Sequence, residues 1–311
     1  MAALGRIAGP VPFKDVVQKE EDEHPPEEYA DIISTLPGIT TGFGQLLCYQ
    51  GFWLRPWMVP GVISVQRRLV PRPDDVLLAS PPKCGTTWLK ALSLATMARA
   101  TYAPTSADHP LFRLNPHDCA DAHAHAPLPA ATLLADCKIV YICREPKDML
   151  VSMWHFIMAA GGDAFPFSDL FEFACEGKNP HGPIWDHILG YSRSSKASPD
   201  RVLFLRYEEM LLDPVSSVRE LALFLGVPFT AAEEAAGLPM DICKLCSIDT
   251  MKDLEVNNTG VAGQFVEVPH KSFFRKGVVG DWANHMTPEM ARHIDAIVED
   301  KLRGSGLGFT R

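Results

Sequence analysis

Short apolar runs recur along the chain, each followed by a polar turn and then by a longer stretch with helical spacing. Val76-Leu77-Leu78-Ala79 is the first run, and Leu89 to Ala100 is its helical partner. Lys138-Ile139-Val140-Tyr141-Ile142-Cys143 is the second, followed by Arg144-Glu145-Pro146 and a helix from Lys147 to about Ala159. Arg201-Val202-Leu203-Phe204-Leu205 is the third, followed by Tyr207-Glu208-Glu209 and helical stretches to Leu225. Runs that are apolar throughout, rather than alternating, predict strands buried on both faces. Strands alternating with helices predict an α/β fold: a single domain with a central parallel sheet flanked by helices. Such sheets place ligands at the carboxyl ends of their strands. The Lys83, Arg144 and Tyr207 segments all begin there.

Outside these units the pattern changes. Residues 1–27 predict a mobile arm, with Pro, Glu, Asp and Lys crowded into 10–27, and 28–311 the folded domain. Residues 28–36 predict a short helix. Leu47 to Trp57 is strongly aromatic, which suits either core packing or an apolar ligand wall.

The chain has 311 residues, of which 47% are hydrophobic, enough for a sizeable core. Its formal net charge is -9, which argues against a general nucleic-acid binder. Against that background, Lys83, Lys90, Arg144, Lys147, Arg275 and Lys276 stand in apolar or glycine-bearing surroundings and point to one specific anionic ligand. The eight cysteines lack the dense spacing of a disulfide scaffold, and no apolar run reaches membrane-spanning length. A reduced, cytoplasmic location without membrane attachment is the expectation.

The loop Ser80-Pro81-Pro82-Lys83-Cys84-Gly85-Thr86-Thr87-Trp88 offers backbone N–H groups, a lysine and two hydroxyls at a helix N-terminus. That combination holds anions, phosphate above all. It is P-loop-like but not a Walker A loop, because Lys83 precedes Gly85 and only one glycine is present. Two further segments carry cations in similar settings: Arg144-Glu145-Pro146-Lys147-Asp148 running on to Ser152, and Arg275-Lys276-Gly277-Val278-Val279-Gly280-Asp281-Trp282. Arginine can grip phosphate bidentately.

These three segments, in this order, resemble those of the cytosolic PAPS-dependent sulfotransferases. Tyr49-Gln50-Gly51-Phe52-Trp53, Asn115-Pro116-His117 and Leu254-Glu255-Val256-Asn257 are most similar to the plant branch. The resemblance covers most of residues 70 to 300. It implies transfer of a sulfuryl group from PAPS to a hydroxyl on a small, largely apolar acceptor of phenolic, flavonoid, steroid or hydroxyjasmonate type, leaving PAP. It implies that Lys83, Cys84, Gly85, Thr86, Thr87 and Trp88 cradle the donor, with Trp88 on the adenine and Tyr207 near the adenosine. It assigns Arg144, Ser152, Arg275, Lys276 and Gly277 to the 3′-phosphate. Trp53 and Phe156 are the expected acceptor contacts.

The family's catalytic base is a histidine, usually in a Thr-His-x-Pro segment. Here the matching stretch is shortened. His125-Ala126-Pro127-Leu128 fits best, with His123 and then His117 as alternatives. The shortening keeps open an alternative function, a PAPS- or PAP-binding protein with weak or no turnover. His117, Cys119, Asp121, His123 and His125 alternate and would share one face of an extended strand, but ligands so closely spaced usually need a partner pair elsewhere, so no metal is expected. Cys243 and Cys246 form a lone Cys-x-x-Cys read as packing. Ile248 stands where the family has an aromatic residue. Ala283, Pro288 and Arg292 replace the family's dimer contacts, so a monomer or weak homodimer is expected. Thr287-Pro288-Glu289 reads as a helix N-cap and first turn.

Overall fold

The computed structural model describes residues 28–119, 137–160, 164–262 and 267–309, together with the backbone of 123–124. Four parallel strands form its central sheet in the order β5-β4-β6-β7. They are β4 (Val76–Ala79), β5 (His123–Ala124), β6 (Lys138–Cys143) and β7 (Val202–Arg206). Leu78 pairs with His123 and Val140, and Val140 with Leu203, so register is continuous across the sheet. Three earlier strands, β1 (Gly38–Thr41), β2 (Gly44–Tyr49) and β3 (Phe52–Leu54), make a separate antiparallel sheet.

The continuous apolar runs have the expected cause. Ile139, Tyr141 and Cys143 of β6 enter one core with helices Pro146–Ala159, Phe167–Cys175, Ile184–Ala197 and Pro288–Leu302. Val140 and Ile142, pointing the other way, enter a second core with helices Thr86–Ala98, Pro214–Leu225 and Leu238–Leu245. Every residue of β6 from Ile139 to Cys143 is at most 1% exposed. Burying a side chain such as Ile139 or Ile142 contributes roughly 1.5–3 kcal/mol. A polar residue here would face apolar packing whichever way it pointed.

Local signals set the helix ends. Glu145 caps the Pro146–Ala159 helix, accepting from the Asp148 N–H at 2.9 Å, and Pro146 occupies the first turn. Thr287 caps the last long helix as expected, accepting from the Met290 N–H at 3.2 Å. The helix after β4 begins at Thr86, three residues before the apolar pattern. Gly85 turns the chain into it with φ +105°, and a Cβ there would lie 2.9 Å from the Tyr207 ring. The expected short helix near the N-terminal end is Ala30–Ser34. The 1–27 arm lies outside the described residues, as do Asp121, His125 and 161–163. Among the described residues no helix is long and apolar enough to cross a membrane.

Candidate functional site

A cavity of about 300 Å³ opens where β4, β6 and β7 end. Lys83, Gly85, Thr86, Thr87 and Trp88 line it from the loop and helix start after β4. Arg144, Ser152 and Phe156 come from the end of β6 and the helix beyond it. Tyr207 follows β7, and Arg275, Lys276 and Gly277 close the far side. Residues nearly two hundred positions apart thus meet because parallel strands all point the same way. Two residues expected at the site are not among those lining it. Cys84 is fully buried, its thiol packed in the core beneath the loop and pushed well above an ordinary thiol by desolvation. Trp53 sits on β3, packed against the large core. Its segment is chiefly a packing element, the other of the two roles that its aromatic character suits.

Lys83 has φ +67°, a left-handed conformation uncommon outside glycine. Its ammonium lies 3.8 Å from the centre of the Phe156 ring and 5.7 Å from that of Phe273. Such contacts favour the cation. Desolvation, with Arg144 and Arg275 nearby, nevertheless lowers the Lys83 amine to about 7.

Arg144 is 5% exposed. One of its guanidinium nitrogens donates to the Val278 carbonyl at 2.8 Å, and its charge lies 4.6 Å from the Tyr207 ring centre. Tyr207 in turn meets Trp88 edge-on at 5.6 Å. Asp148, with no exposed surface, fixes the far wall: it accepts from the Gly280 N–H at 2.7 Å and the Trp282 N–H at 2.9 Å. Asp281 accepts from Lys276 at 2.7 Å, from Asn284 at 3.0 Å, and from Arg275. Burial pushes the Asp281 carboxyl up, but these bonds outweigh it and hold it well below the usual carboxylate range. Lys147, by contrast, is tied to Asp295 and lies 3.5 Å from Glu145, away from the cavity. Burial raises the Glu145 carboxyl to about 7.

Gly277 has φ +69°, and a Cβ there would sit 3.0 Å from Ile248. Ile248 lines the cavity with Leu211, Cys246 and Met251, which makes this end apolar. Cys243 and Cys246 are free thiols, in line with packing. The site therefore has a cationic end, an apolar end and an aromatic side. Buried N–H groups at Arg144 Nε and Arg275 Nε have no partner among the described residues. That donor set fits a molecule carrying phosphates on an apolar base.

His117 is the third-ranked of the three histidine candidates by sequence, and the sequence motifs alone give Phe273, Asp148 and Asp281 no role. His117 is the described member of the three with a placed side chain. It lines the cavity and bonds to Thr87. Asp148 carried a readable signal, since it is a carboxylate four residues after Arg144, and the two side chains come within 3.6 Å across the start of the helix. The remaining contacts join segments too distant for spacing to reveal.

Comparison with known proteins agrees with this geometry. Residues 73–306 match the model of the sulfotransferase domain. Cytosolic sulfotransferase 5 of Arabidopsis thaliana is 40% identical over 91% of this chain and 97% of its own length. Cytosolic sulfotransferase 1 of the same plant is also 40% identical, over 93% and 96%. The crystal structure of an Arabidopsis thaliana sulphotransferase superposes with a TM-score of 0.72 at 31% identity, covering 93% of this chain and 98% of that one. A mouse sulfotransferase complexed with PAP superposes at 0.65 with 28% identity, covering 85% and 96%. A strand-end cavity lined with cations, set in a chain that matches this domain over three-quarters of its length, makes the protein a member of the sulfotransferase family, of the plant cytosolic type.

Proposed function

We propose that this sulfotransferase moves a sulfuryl group from PAPS to a hydroxyl of a small, largely apolar acceptor. The observation that carries the reading is the convergence of Lys83, Arg144, Arg275 and Lys276 on one cavity with an apolar end. Arg144, Arg275, Lys276 and the Gly277 backbone are suited to the 3′-phosphate, and Ser152 lines the cavity beside them. Trp88, Tyr207 and Ile248 offer surfaces for the adenosine. Lys83 and the N–H groups of 83–87 face the 5′ end, where charge grows on the departing phosphate. PAPS supplies the activated sulfuryl group. The acceptor oxygen takes the sulfur, PAP leaves, and the hydroxyl proton passes to a base. His125 is our candidate for that base, from its His-x-Pro-Leu context. Phe156 and Phe273 supply a flat apolar wall for a phenolic, flavonoid, steroid or hydroxyjasmonate acceptor. The residues 28–311 act as the catalytic domain of a cytoplasmic monomer or weak homodimer.

Radiolabelled PAPS offered with a panel of such acceptors tests the reading. Labelled product from at least one, lost in His125→Ala while PAP still binds, is the expected result, since losing a general base costs ~10²–10⁴ in rate. A second reading follows from the shortened segment before His125. If PAP binds and no acceptor is labelled, the chain is a PAPS- or PAP-binding protein. If PAP does not bind, the donor assignment fails.

A further inference from the structure

His117 occupies a short helical turn, Pro116–Cys119, that is anchored from below. Its backbone N–H donates to Asn115 Oδ1 at 2.9 Å. Asn115 has no exposed surface and donates to Asn257 Oδ1 at 2.8 Å, and Asn257 donates onward to the Met251 carbonyl at 2.8 Å. The imidazole stacks on Phe273, with ring centres 4.1 Å apart and planes inclined by 28°. Its two nitrogens meet different groups. Nε2 is 2.9 Å from Thr87 Oγ1, and Nδ1 is 3.5 Å from Lys90 Nζ.

These two described contacts bear directly on where the ring hydrogen sits. An ammonium has donors only, so the nitrogen facing Lys90 must present its lone pair. Lys90 is 2% exposed, so little water screens it from the ring. The hydrogen of the neutral ring is therefore on Nε2, and His117 donates to the Thr87 hydroxyl. A hydroxyl can accept while its own hydrogen remains available. Thr87 stands in the first turn of the helix after the Lys83 loop and lines the cavity. With the opposite tautomer, Thr87 would give its hydrogen to His117 and turn only lone pairs to the cavity, a repulsive surface for an anionic oxygen.

We propose that His117 is a positioning residue that holds the Thr87 hydroxyl as a hydrogen-bond donor toward the phosphosulfate oxygens of the donor, with Lys90 setting the tautomer. The inference rests on the donor reading above. It also separates His117 from the base: Nε2 carries a hydrogen and Nδ1 faces an ammonium, so neither nitrogen is set to take a proton from an acceptor.

Two measurements test it. The first needs no donor. In protein carrying ¹⁵N-histidine, the His117 signals are those lost in His117→Phe. At pH 7.5 they should show a neutral ring with the hydrogen on Nε2, and Thr87→Val should shift the Nε2 signal. A hydrogen on Nδ1, a doubly protonated ring, or no response to Thr87→Val overturns the proposal. The second is a double-mutant cycle on PAP affinity by calorimetry. His117→Phe and Thr87→Val should each weaken binding by about fivefold to tenfold, as expected for one hydrogen bond. The double variant should be no weaker than the weaker single variant. His117→Gln, which keeps a side-chain N–H, should recover most of the loss. Multiplying losses in the double variant overturn the proposal. If wild-type protein does not bind PAP, the donor reading fails and, with it, the role toward the donor; the tautomer experiment still decides the Lys90–His117–Thr87 order.

Discussion

Donor affinity should fall as pH rises above neutrality, and Lys83 should be the cause. Its amine is lowered to about 7 from 10.5, first by desolvation and then by Arg144 and Arg275. A phosphate placed beside it reverses the charge balance and favours the ammonium. The complex therefore binds more protons than the free protein, and affinity must decline with pH. As pH falls below about 7 the amine becomes fully charged and its contribution to the slope vanishes. Above it, affinity should drop by up to about tenfold per pH unit until the amine of the complex also titrates. At pH 8, about 0.9 proton should be taken up for each PAP bound, if the bound amine regains its ordinary value. The phosphates themselves add no slope there, since their second ionisation lies near ~6. Calorimetry at pH 8 in buffers of different ionisation enthalpy reads the proton count directly. Lys83→Arg, charged throughout, should bind PAP with no uptake at that pH. An uptake near zero in the wild-type protein, or the same uptake in Lys83→Arg, would refute the assignment to Lys83.

Two further outcomes follow from the cavity walls. Arg144→Ala should weaken PAP binding by about 1.5–3 kcal/mol, the scale of a charged hydrogen bond, in a protein that remains folded; unchanged affinity by calorimetry would remove Arg144 from the 3′-phosphate. Asp148→Ala leaves two backbone N–H groups and the Arg144 charge without their carboxylate, so denaturant unfolding should show a loss of about 3–5 kcal/mol, and a loss below ~1 kcal/mol would contradict the fastening role.

The framework was legible because its signal is local. A strand buried on both faces must be apolar at every position, and Ile139 to Cys143 show that directly. Glycine and proline placed the turns. The helix after β4 shows where periodicity stops helping: Thr86 and Thr87 belong to its first turn, yet they break the apolar pattern. Their hydroxyls serve other ends, Thr86 meeting Ser80 Oγ at 2.6 Å and Thr87 meeting His117. The aromatic stretch around Trp53 could have served packing or a ligand wall, because either use buries rings. Only the path of the β1–β3 sheet places Trp53 against the core. The contacts of Asp148 with Gly280 and Trp282 span more than 130 residues. No spacing rule reaches across such a distance, whereas the cations they support sit in short motifs and could be read.

The supporting carboxylates explain how an acidic protein can hold a highly charged anion. Lys83, Arg144, Arg275 and Lys276 repel one another, and gathering them into one cavity costs stability. Asp148 and Asp281 reduce that cost from behind, where each also fixes backbone or side-chain geometry. The offset is incomplete: among the described residues these four cations outnumber the two supporting carboxylates, which leaves the cavity positive in a chain of formal net charge -9. Lowering Lys83 to about 7 relieves part of the remaining repulsion without removing the group. A compact anion that fits the cavity gains these contacts at close range, where screening by salt is weak. The proposed preference for a small phosphorylated donor rests on where the charges are placed, not on their total.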